Sequence, residues 1–163
     1  MEKRRDFLGY SFATIATVGV GFSLIGMKKA WDPLPSVLKS GFTKVNLKQL
    51  QIGIPFTTMW RGKPIFILRK SSLMKDSPRD VIINNKRYII VIGLCTHLGC
   101  IPAWKKDKWQ CACHGGIFNY NGVNVFGPPP RPLDFLPFKV EGDNLILGEK
   151  GKEYKKLLAL NNQ

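Results

Sequence analysis

Cysteine and histidine are scarce in this chain of 163 residues, which contains four cysteines and two histidines. All four cysteines lie between Cys95 and Cys113, too clustered to form a disulfide framework that holds a whole small domain together. The sequence also lacks internal repeats and low-complexity segments, and its length leaves no room for a second catalytic domain. The cysteines therefore predict one local site in one small domain.

Acidic residues are few, since 11 Asp and Glu stand against 25 Lys and Arg and the formal net charge is +14. Five basic and two acidic residues precede Ala30, so the remaining 20 basic and nine acidic residues still give +11. The basic residues are scattered and no nucleic-acid-binding motif accompanies them, which argues against a nucleic-acid partner. Two interpretations stay open: a soluble, self-repelling surface, or long-range attraction of an acidic partner or of anionic headgroups.

Charged residues are absent from Phe7 to Met27, a stretch of 21 residues. As a helix it would span roughly 31 Å, about the thickness of the hydrocarbon core of a bilayer. A cleaved signal peptide and a buried core helix are the alternatives. The stretch ends in Lys28-Lys29-Ala30-Trp31-Asp32-Pro33, without a small-x-small cleavage site ahead of a polar mature start. Residues 1–29 are therefore predicted to be an uncleaved transmembrane anchor.

Arg4-Arg5-Asp6-Phe7-Leu8 resembles the twin-arginine export signal, in which paired arginines precede x-Phe-Leu and a mildly apolar stretch. The basic residues on the two sides of the stretch favour a cytoplasmic N-terminus only slightly, and the signal strengthens that orientation. The resemblance implies a single-pass protein of the bacterial inner membrane, with its N-terminus in the cytoplasm and its remaining domain on the periplasmic side.

Proline, serine and glycine interrupt any regular pattern in residues 30–42, which we expect to form a flexible tether. Residues 43–163 then contain short runs rich in Ile, Val and aromatic residues, a pattern typical of β-strands. These runs are Lys44 to Leu50, Phe56 to Arg61, Pro64 to Arg69, Arg87 to Leu94, Pro137 to Val140 and Asn144 to Leu147. Glu141-Gly142-Asp143 predicts a hairpin turn. The predicted fold is an all-β antiparallel sandwich or small barrel, with Glu153 to Leu160 as a short helix or tail.

Every cysteine and histidine lies in one of two boxes, Cys95-Thr96-His97-Leu98-Gly99-Cys100 and Cys111-Ala112-Cys113-His114-Gly115-Gly116. Thiolates and imidazoles together can hold zinc in a tetrahedral structural site. Zinc fingers usually place the cysteines in one element and the histidines in another, whereas each box here mixes the two. The boxes predict a metal centre, with structural zinc as the alternative.

This arrangement resembles the Rieske iron–sulfur family, in which two cysteines hold one iron of a [2Fe–2S] cluster and two histidines hold the other. Position by position, the resemblance implies Cys95 and Cys111 as ligands of the inner iron, and His97 and His114 as ligands of the outer iron. Cys100 and Cys113 are shared with the quinol-oxidising branch of the family, which implies a disulfide between them. Thirteen residues separate His97 from Cys111, slightly fewer than is usual in the family.

Gly127-Pro128-Pro129-Pro130-Arg131-Pro132-Leu133 resembles the Gly-Pro-rich loop that covers the cluster in this branch. Proline fixes φ and lacks an amide donor, so such a loop is stiff and apolar. The resemblance implies that six residues shield the cluster and tune its potential, namely Leu98, Gly116, Phe118, Gly127, Pro128 and Pro129. Gly116 and Phe118 stand where members of higher potential have Ser and Tyr, whose hydroxyls donate hydrogen bonds to sulfurs. Their absence predicts a lower potential, and menaquinol rather than ubiquinol as the substrate.

The resemblance implies the iron–sulfur subunit of a quinol–cytochrome c oxidoreductase, a cytochrome bc complex of the respiratory chain. His114, with His97 beside it, is expected to contact the quinol and to take up a proton as the cluster takes one electron. The expected partners are cytochrome b and a c-type cytochrome, within a dimeric complex. The alternative is the Rieske electron-transfer subunit of a molybdenum enzyme such as arsenite oxidase. The predicted anchor and tether favour the bc complex.

Overall fold

The computed structural model describes residues 2–34, 37 and 41–161, and the chain divides into two compact units, residues 1–39 and 40–163. The first unit contains the helix α1, Glu2–Trp31, which has no internal proline and is followed by Pro33. Its segment Lys3–Trp31 is long and apolar enough to cross a membrane. The apolar N-terminal helix predicted from the sequence is thereby confirmed.

Hydroxyl side chains inside α1 donate their hydrogen bonds to carbonyl oxygens one turn earlier. Ser11 donates to the Phe7 carbonyl at 2.8 Å and Thr17 to the Ala13 carbonyl at 2.7 Å, and Thr14 and Ser23 bond in the same way. All four Ser and Thr hydroxyls of the helix are therefore paired internally.

Within residues 41–161 the second unit is built of short strands, a 3-10 helix at Leu47–Gln49 and the helix α2 at Lys152–Asn161. The strands are β1 Thr43–Asn46, β2 Phe56–Trp60, β3 Lys63–Arg69, β4 Val81–Ile83, β5 Lys86–Ile92, β6 Ala103–Lys105, β7 Lys108–Gln110, β8 Ile117–Asn119, β9 Asn124–Phe126, β10 Phe138–Glu141 and β11 Asn144–Leu147. They form three sheets in the orders β1-β11-β10, β2-β3-β5-β4 and β6-β7-β8-β9. All strand pairs in these sheets are antiparallel.

Strand β3 is buried on both faces, which explains its continuous apolar run. Ile65 and Ile67 face the core shared with β1, β10 and β11, whereas Phe66 and Leu68 face a second core beneath β6–β9. This alternation follows from the two-residue period of a strand. The sheet of β3 is thus the middle layer of this second unit, which we call the head.

Aromatic rings pack the sheet β6-β7-β8-β9 against this middle layer. The ring of Phe66 stacks on Trp109 of β7 with centroids 4.2 Å apart and planes 1° apart. Trp104 of β6, which lies opposite Trp109 in the register, contacts it edge-on at 4.5 Å. The first box lies between β5 of the middle sheet and β6, and the second box lies between β7 and β8, so this packing helps to set the position of both boxes.

The predicted all-β antiparallel head is confirmed, with differences at single elements. The predicted run Lys44 to Leu50 forms a strand only to Asn46, because the Asn46 side chain accepts a hydrogen bond from the Lys48 amide at 2.9 Å and begins the 3-10 helix. The predicted turn lies between β10 and β11, and the C-terminal residues form α2. Helix α1 extends two residues into the predicted tether, whose residues 35, 36 and 38–40 lie outside the described residues.

Candidate metal centre

The two boxes fold into loops with the same backbone pattern. In each loop the first cysteine donates its amide to the carbonyl five residues later, and its carbonyl accepts from the glycine four residues later. The bonds are Cys95 N to Cys100 O (2.8 Å), Gly99 N to Cys95 O (2.8 Å), Cys111 N to Gly116 O (2.8 Å) and Gly115 N to Cys111 O (3.1 Å). Gly99 and Gly115 have φ of 81° and 71°, a conformation that glycine adopts at least cost.

Cys95 and Cys111, the first residues of the two loops, are both buried and free. Burial raises the pKa of the Cys95 thiol, and the adjacent Cys111 thiol raises it further. The backbone amides of His97 and Leu98 donate hydrogen bonds to the Cys95 sulfur, which lowers its pKa and partly offsets the effect of burial. Two neighbouring thiols in an apolar pocket, one of them met by amide donors, are suited to bind a cationic metal centre as thiolates.

The two histidines are less buried than the two thiols. The rings of His97 and His114 have centroids 4.8 Å apart and planes nearly perpendicular at 89°. His114 is exposed, whereas Nδ1 of His97 is buried and has no hydrogen-bond partner among the described residues. A buried ring nitrogen without a partner is unfavourable unless it binds a metal, so the two imidazoles fit the second iron of a [2Fe–2S] cluster.

A disulfide between Cys100 and Cys113 joins the two loops across a Cα–Cα distance of 6.6 Å. The sulfurs of Cys100, Cys111 and Cys113 lie within 4.8 Å of one another. Two of these three sulfurs are bonded to each other, which leaves Cys111 as the free thiol of the group. The centre therefore offers two thiols and two imidazoles, the donor set of a Rieske cluster.

Residues 43–156 match the model of the Rieske [2Fe-2S] domain family. The chain belongs to this family. It is 31% identical to the ubiquinol-cytochrome c reductase iron-sulfur subunit of Rickettsia prowazekii, over 88% of this chain and 91% of that protein. The subunit of the same name from Rhodospirillum rubrum is 28% identical, over 90% of this chain and 91% of its own length.

Among solved structures, the Rieske chain resembles one described as a hyperthermophilic respiratory Complex III. The identity is 30% and the TM-score 0.65, and the match covers 84% of this chain and 98% of the other. The similarity therefore extends well beyond the two boxes.

The proline-rich segment lies over the second loop of the Rieske centre and is fixed at two points. Thr96 Oγ1 of the first box donates to the Arg131 carbonyl at 2.6 Å, and Asn124 Nδ2 donates to the Pro129 carbonyl at 3.0 Å. Pro129 is buried, whereas its neighbours Pro128 and Pro130 are exposed. We call residues 127–133 the cover loop.

The other predicted tuning residues occupy different environments. Gly116, the last residue of the second box, and Phe118, two residues later, are both buried, and Gly127 packs against the backbone of Gly116. The side chain of Leu98 is 71% exposed at the tip of the first loop. Leu98 is therefore available to a docking partner, while Gly116 and Phe118 are not.

Sequence reasoning missed a buried ionic network that reaches the end of the cover loop. Lys70 Nζ, in a side chain with no exposed surface, bonds to Asp80 at 2.7 Å and to Asn121 Oδ1 at 3.0 Å. Arg79 donates to the carbonyls of Asn121 and Leu133, the last residue of the cover loop. Burial lowers the pKa of Arg79 to about 10, and the nearby Asp134 opposes that shift. Lone charged residues in a loop gave no sequence signal of this role.

Proposed function

We propose that this chain is the electron-transfer subunit of a membrane-bound quinol–cytochrome c oxidoreductase, a cytochrome bc complex. The observation that carries the proposal is the pairing of an exposed His114 with a half-buried His97, whose ring centroids are 4.8 Å apart, in two loops that each begin with a buried free thiol. That arrangement puts the imidazole end of the centre where a partner molecule can reach it. The names of the relatives, which match along nearly their whole length, support the same role.

The ligands in this proposal are Cys95 and Cys111 for the inner iron, and His97 and His114 for the outer iron. The [2Fe–2S] cluster supplies a site that gains and loses one electron at a time. The chain prepares that site with thiols already buried together and with a buried Nδ1 of His97 that has no other partner among the described residues. The disulfide and the cover loop hold the two loops in place and keep water from the thiol side.

His114 performs the contact with the substrate. A metal-bound imidazole keeps one ring nitrogen that does not bind the metal. Because His114 is exposed, that nitrogen accepts a hydrogen bond from a quinol hydroxyl and then its proton. The exposed apolar side chains of Leu98 and Ile101 lie in and directly after the same box and provide a surface for docking to cytochrome b and to a c-type cytochrome.

The membrane part of the proposal places α1 as an uncleaved anchor in the bacterial inner membrane. Its N-terminus lies in the cytoplasm and the head on the periplasmic side, as the resemblance of Arg4-Arg5-Asp6-Phe7-Leu8 to a twin-arginine signal implies. The internally paired hydroxyls of α1 suit a lipid environment. The predicted tether, shortened by the two residues that belong to α1, then lets the head move between two partners in a dimeric complex.

Menaquinol is the proposed quinol, because Gly116 and Phe118 lack the hydroxyls that stabilise the reduced cluster in members of higher potential. If each hydrogen bond favours the reduced state by on the order of 1 kcal/mol, losing both lowers the potential by roughly 90 mV. The rival role, as a subunit of a molybdenum enzyme such as arsenite oxidase, has no support from the relatives reported above.

Two measurements on the full-length protein test the proposal. Low-temperature EPR of the reduced protein in detergent should show the signal of a Rieske centre, which zinc or an all-cysteine cluster would not give. Isolation from the native membrane through a tag on the C-terminus should recover cytochrome b and a c-type haem protein. Recovery of a molybdopterin-containing subunit instead would contradict the proposal.

A further inference from the structure

The backbone dihedral angles of Gly116 do not require a glycine at this position. Gly99 and Gly115, in the two box loops, have positive φ and therefore disfavour a side chain. Gly116 is not among the positive-φ glycines, so its backbone conformation is open to any residue. The absence of a side chain at residue 116 must come from what surrounds it.

Pro129 occupies the position that a side chain on residue 116 would take. A Cβ built on Gly116 would lie 2.6 Å from Cγ and 2.9 Å from Cδ of Pro129. The proline ring is bonded back to its own backbone and cannot rotate away, and the Pro129 carbonyl is held by Asn124 at 3.0 Å. Alanine at residue 116 would therefore have to displace the backbone of the cover loop.

A second contact holds the two segments together just as tightly. Gly127 has a φ of 86°, and a Cβ at that position would lie 2.9 Å from Cα of Gly116 and 3.1 Å from the Gly115 carbonyl oxygen. The Cβ built on Gly116, which would clash with Pro129, would also lie 3.8 Å from Cβ of Cys111. The Pro129 ring thus fills the space directly beside a proposed iron ligand.

We propose that Pro129 is a positioning residue of the metal centre and that it acts as one unit with Gly116. The ring fills the volume of the missing side chain, which closes the second box to water and leaves no room for a hydroxyl beside the sulfurs. This inference rests on the proposed function only for the assignment of Cys111 as a ligand. It implies that a hydroxyl at residue 116 requires the removal of the Pro129 ring.

Four full-length proteins in detergent test the coupling: wild type, Gly116→Ala, Pro129→Ala and the double variant. The rate of cluster loss is followed by visible absorbance during incubation with an iron chelator. Gly116→Ala should lose the cluster about tenfold faster or more, because an extra methyl group in a packed site is strongly unfavourable. In the double variant the new Cβ occupies the space of the lost ring, and the rate should return close to that of wild type.

Pro130→Ala provides the matched control, since Pro130 is an exposed proline of the same loop. Combined with Gly116→Ala, it should leave the fast cluster loss unchanged. Cluster loss from Gly116→Ala at the wild-type rate, or equal rescue by Pro129→Ala and Pro130→Ala, would overturn the inference. If Gly116→Ala does not fold, the two double variants are compared instead. The inference then predicts that Gly116→Ala with Pro129→Ala retains the cluster and that Gly116→Ala with Pro130→Ala does not.

A redox titration separates a positioning role from a merely structural one. Gly116→Ser combined with Pro129→Ala should raise the midpoint potential, with a tenfold change in the reduction equilibrium corresponding to about 59 mV. Gly116→Ser combined with Pro130→Ala should not raise it, because the Pro129 ring remains. Equal potentials in both would overturn the inference, whereas a wild-type protein without a Rieske EPR signal would overturn the proposed function instead.

Discussion

The ring of Phe66 occupies the space beside Gly93 where a side chain would project. A Cβ on Gly93 would lie 2.5 Å from Cζ of Phe66, and the other face of the ring system is committed to Trp109, 4.2 Å away. Gly93 is the last residue but one before Cys95, the start of the first box. The middle sheet, the aromatic stack and the first metal-binding loop thus meet at one glycine.

Gly93→Ala should destabilise the head by about 1–3 kcal/mol, because the added methyl group pushes the Phe66 ring against Trp109. Chemical denaturation of the full-length protein, followed by tryptophan fluorescence, measures this change. Adding Phe66→Leu should recover part of the loss, since the smaller side chain frees the position. A single variant as stable as wild type would show that the stack can shift without cost.

Replacement of Cys95, His97, Cys111 or His114 should abolish the cluster, because each is assigned as a ligand. Cys100→Ala should retain the Rieske EPR signal but lose the cluster sooner, since the disulfide only joins the loops. EPR and iron content measured on the same preparations check both outcomes. A normal spectrum from Cys111→Ala would reverse the assignment.

Lys70→Met should lower the free energy of unfolding by about 3–5 kcal/mol, because it leaves the Asp80 carboxylate buried without its cation. Urea denaturation is the measurement. Lys48→Met is the control: it breaks an ion pair with Asp143 whose side chains are 70% and 42% exposed, and no measurable change is expected. Equal effects of the two substitutions would mean that burial does not determine how much the Lys70–Asp80 ion pair contributes to the free energy of unfolding.

Phe118→Tyr should raise the midpoint potential by roughly 45 mV, if the new hydroxyl contributes about 1 kcal/mol to the reduced state. Phe118 is fully buried opposite Trp109 in the sheet, whereas Phe126 is exposed in the neighbouring strand. Phe126→Tyr should therefore leave the potential unchanged. A wild-type potential near the top of the Rieske range would contradict the interpretation of Gly116 and Phe118.

Local sequence patterns were sufficient to predict those parts of the site that depend on the spacing of neighbouring residues. Cys95 and His97 are two residues apart, and the boxes are short, so their chemistry is visible without a fold. The predicted strands with long apolar runs, such as Pro64 to Arg69, are also present, because a buried strand keeps its pattern over many residues.

Other features depend on tertiary contacts or on short elements that no pattern reveals. Strands β6 to β9 have three residues each, too few to show a period of two. The hairpin turn at Lys106-Asp107 has positive φ at both residues but contains no glycine, the residue by which such turns are usually predicted. The contact between Gly116 and Pro129 joins residues 13 positions apart through a loop, and only the folded chain brings them together.

The pairing of β1 with β11 also sets the order of events during synthesis. Thr43 lies opposite Leu147, roughly one hundred residues later, so the sheet β1-β11-β10 cannot form until nearly the whole chain has left the ribosome. Both metal-binding boxes emerge before that moment, and β11, the last strand to emerge, completes the sheet. A secretion pathway that threads an extended chain would separate β1 from its partner across the membrane. The head can therefore complete its fold only where β1 and β11 are in the same compartment.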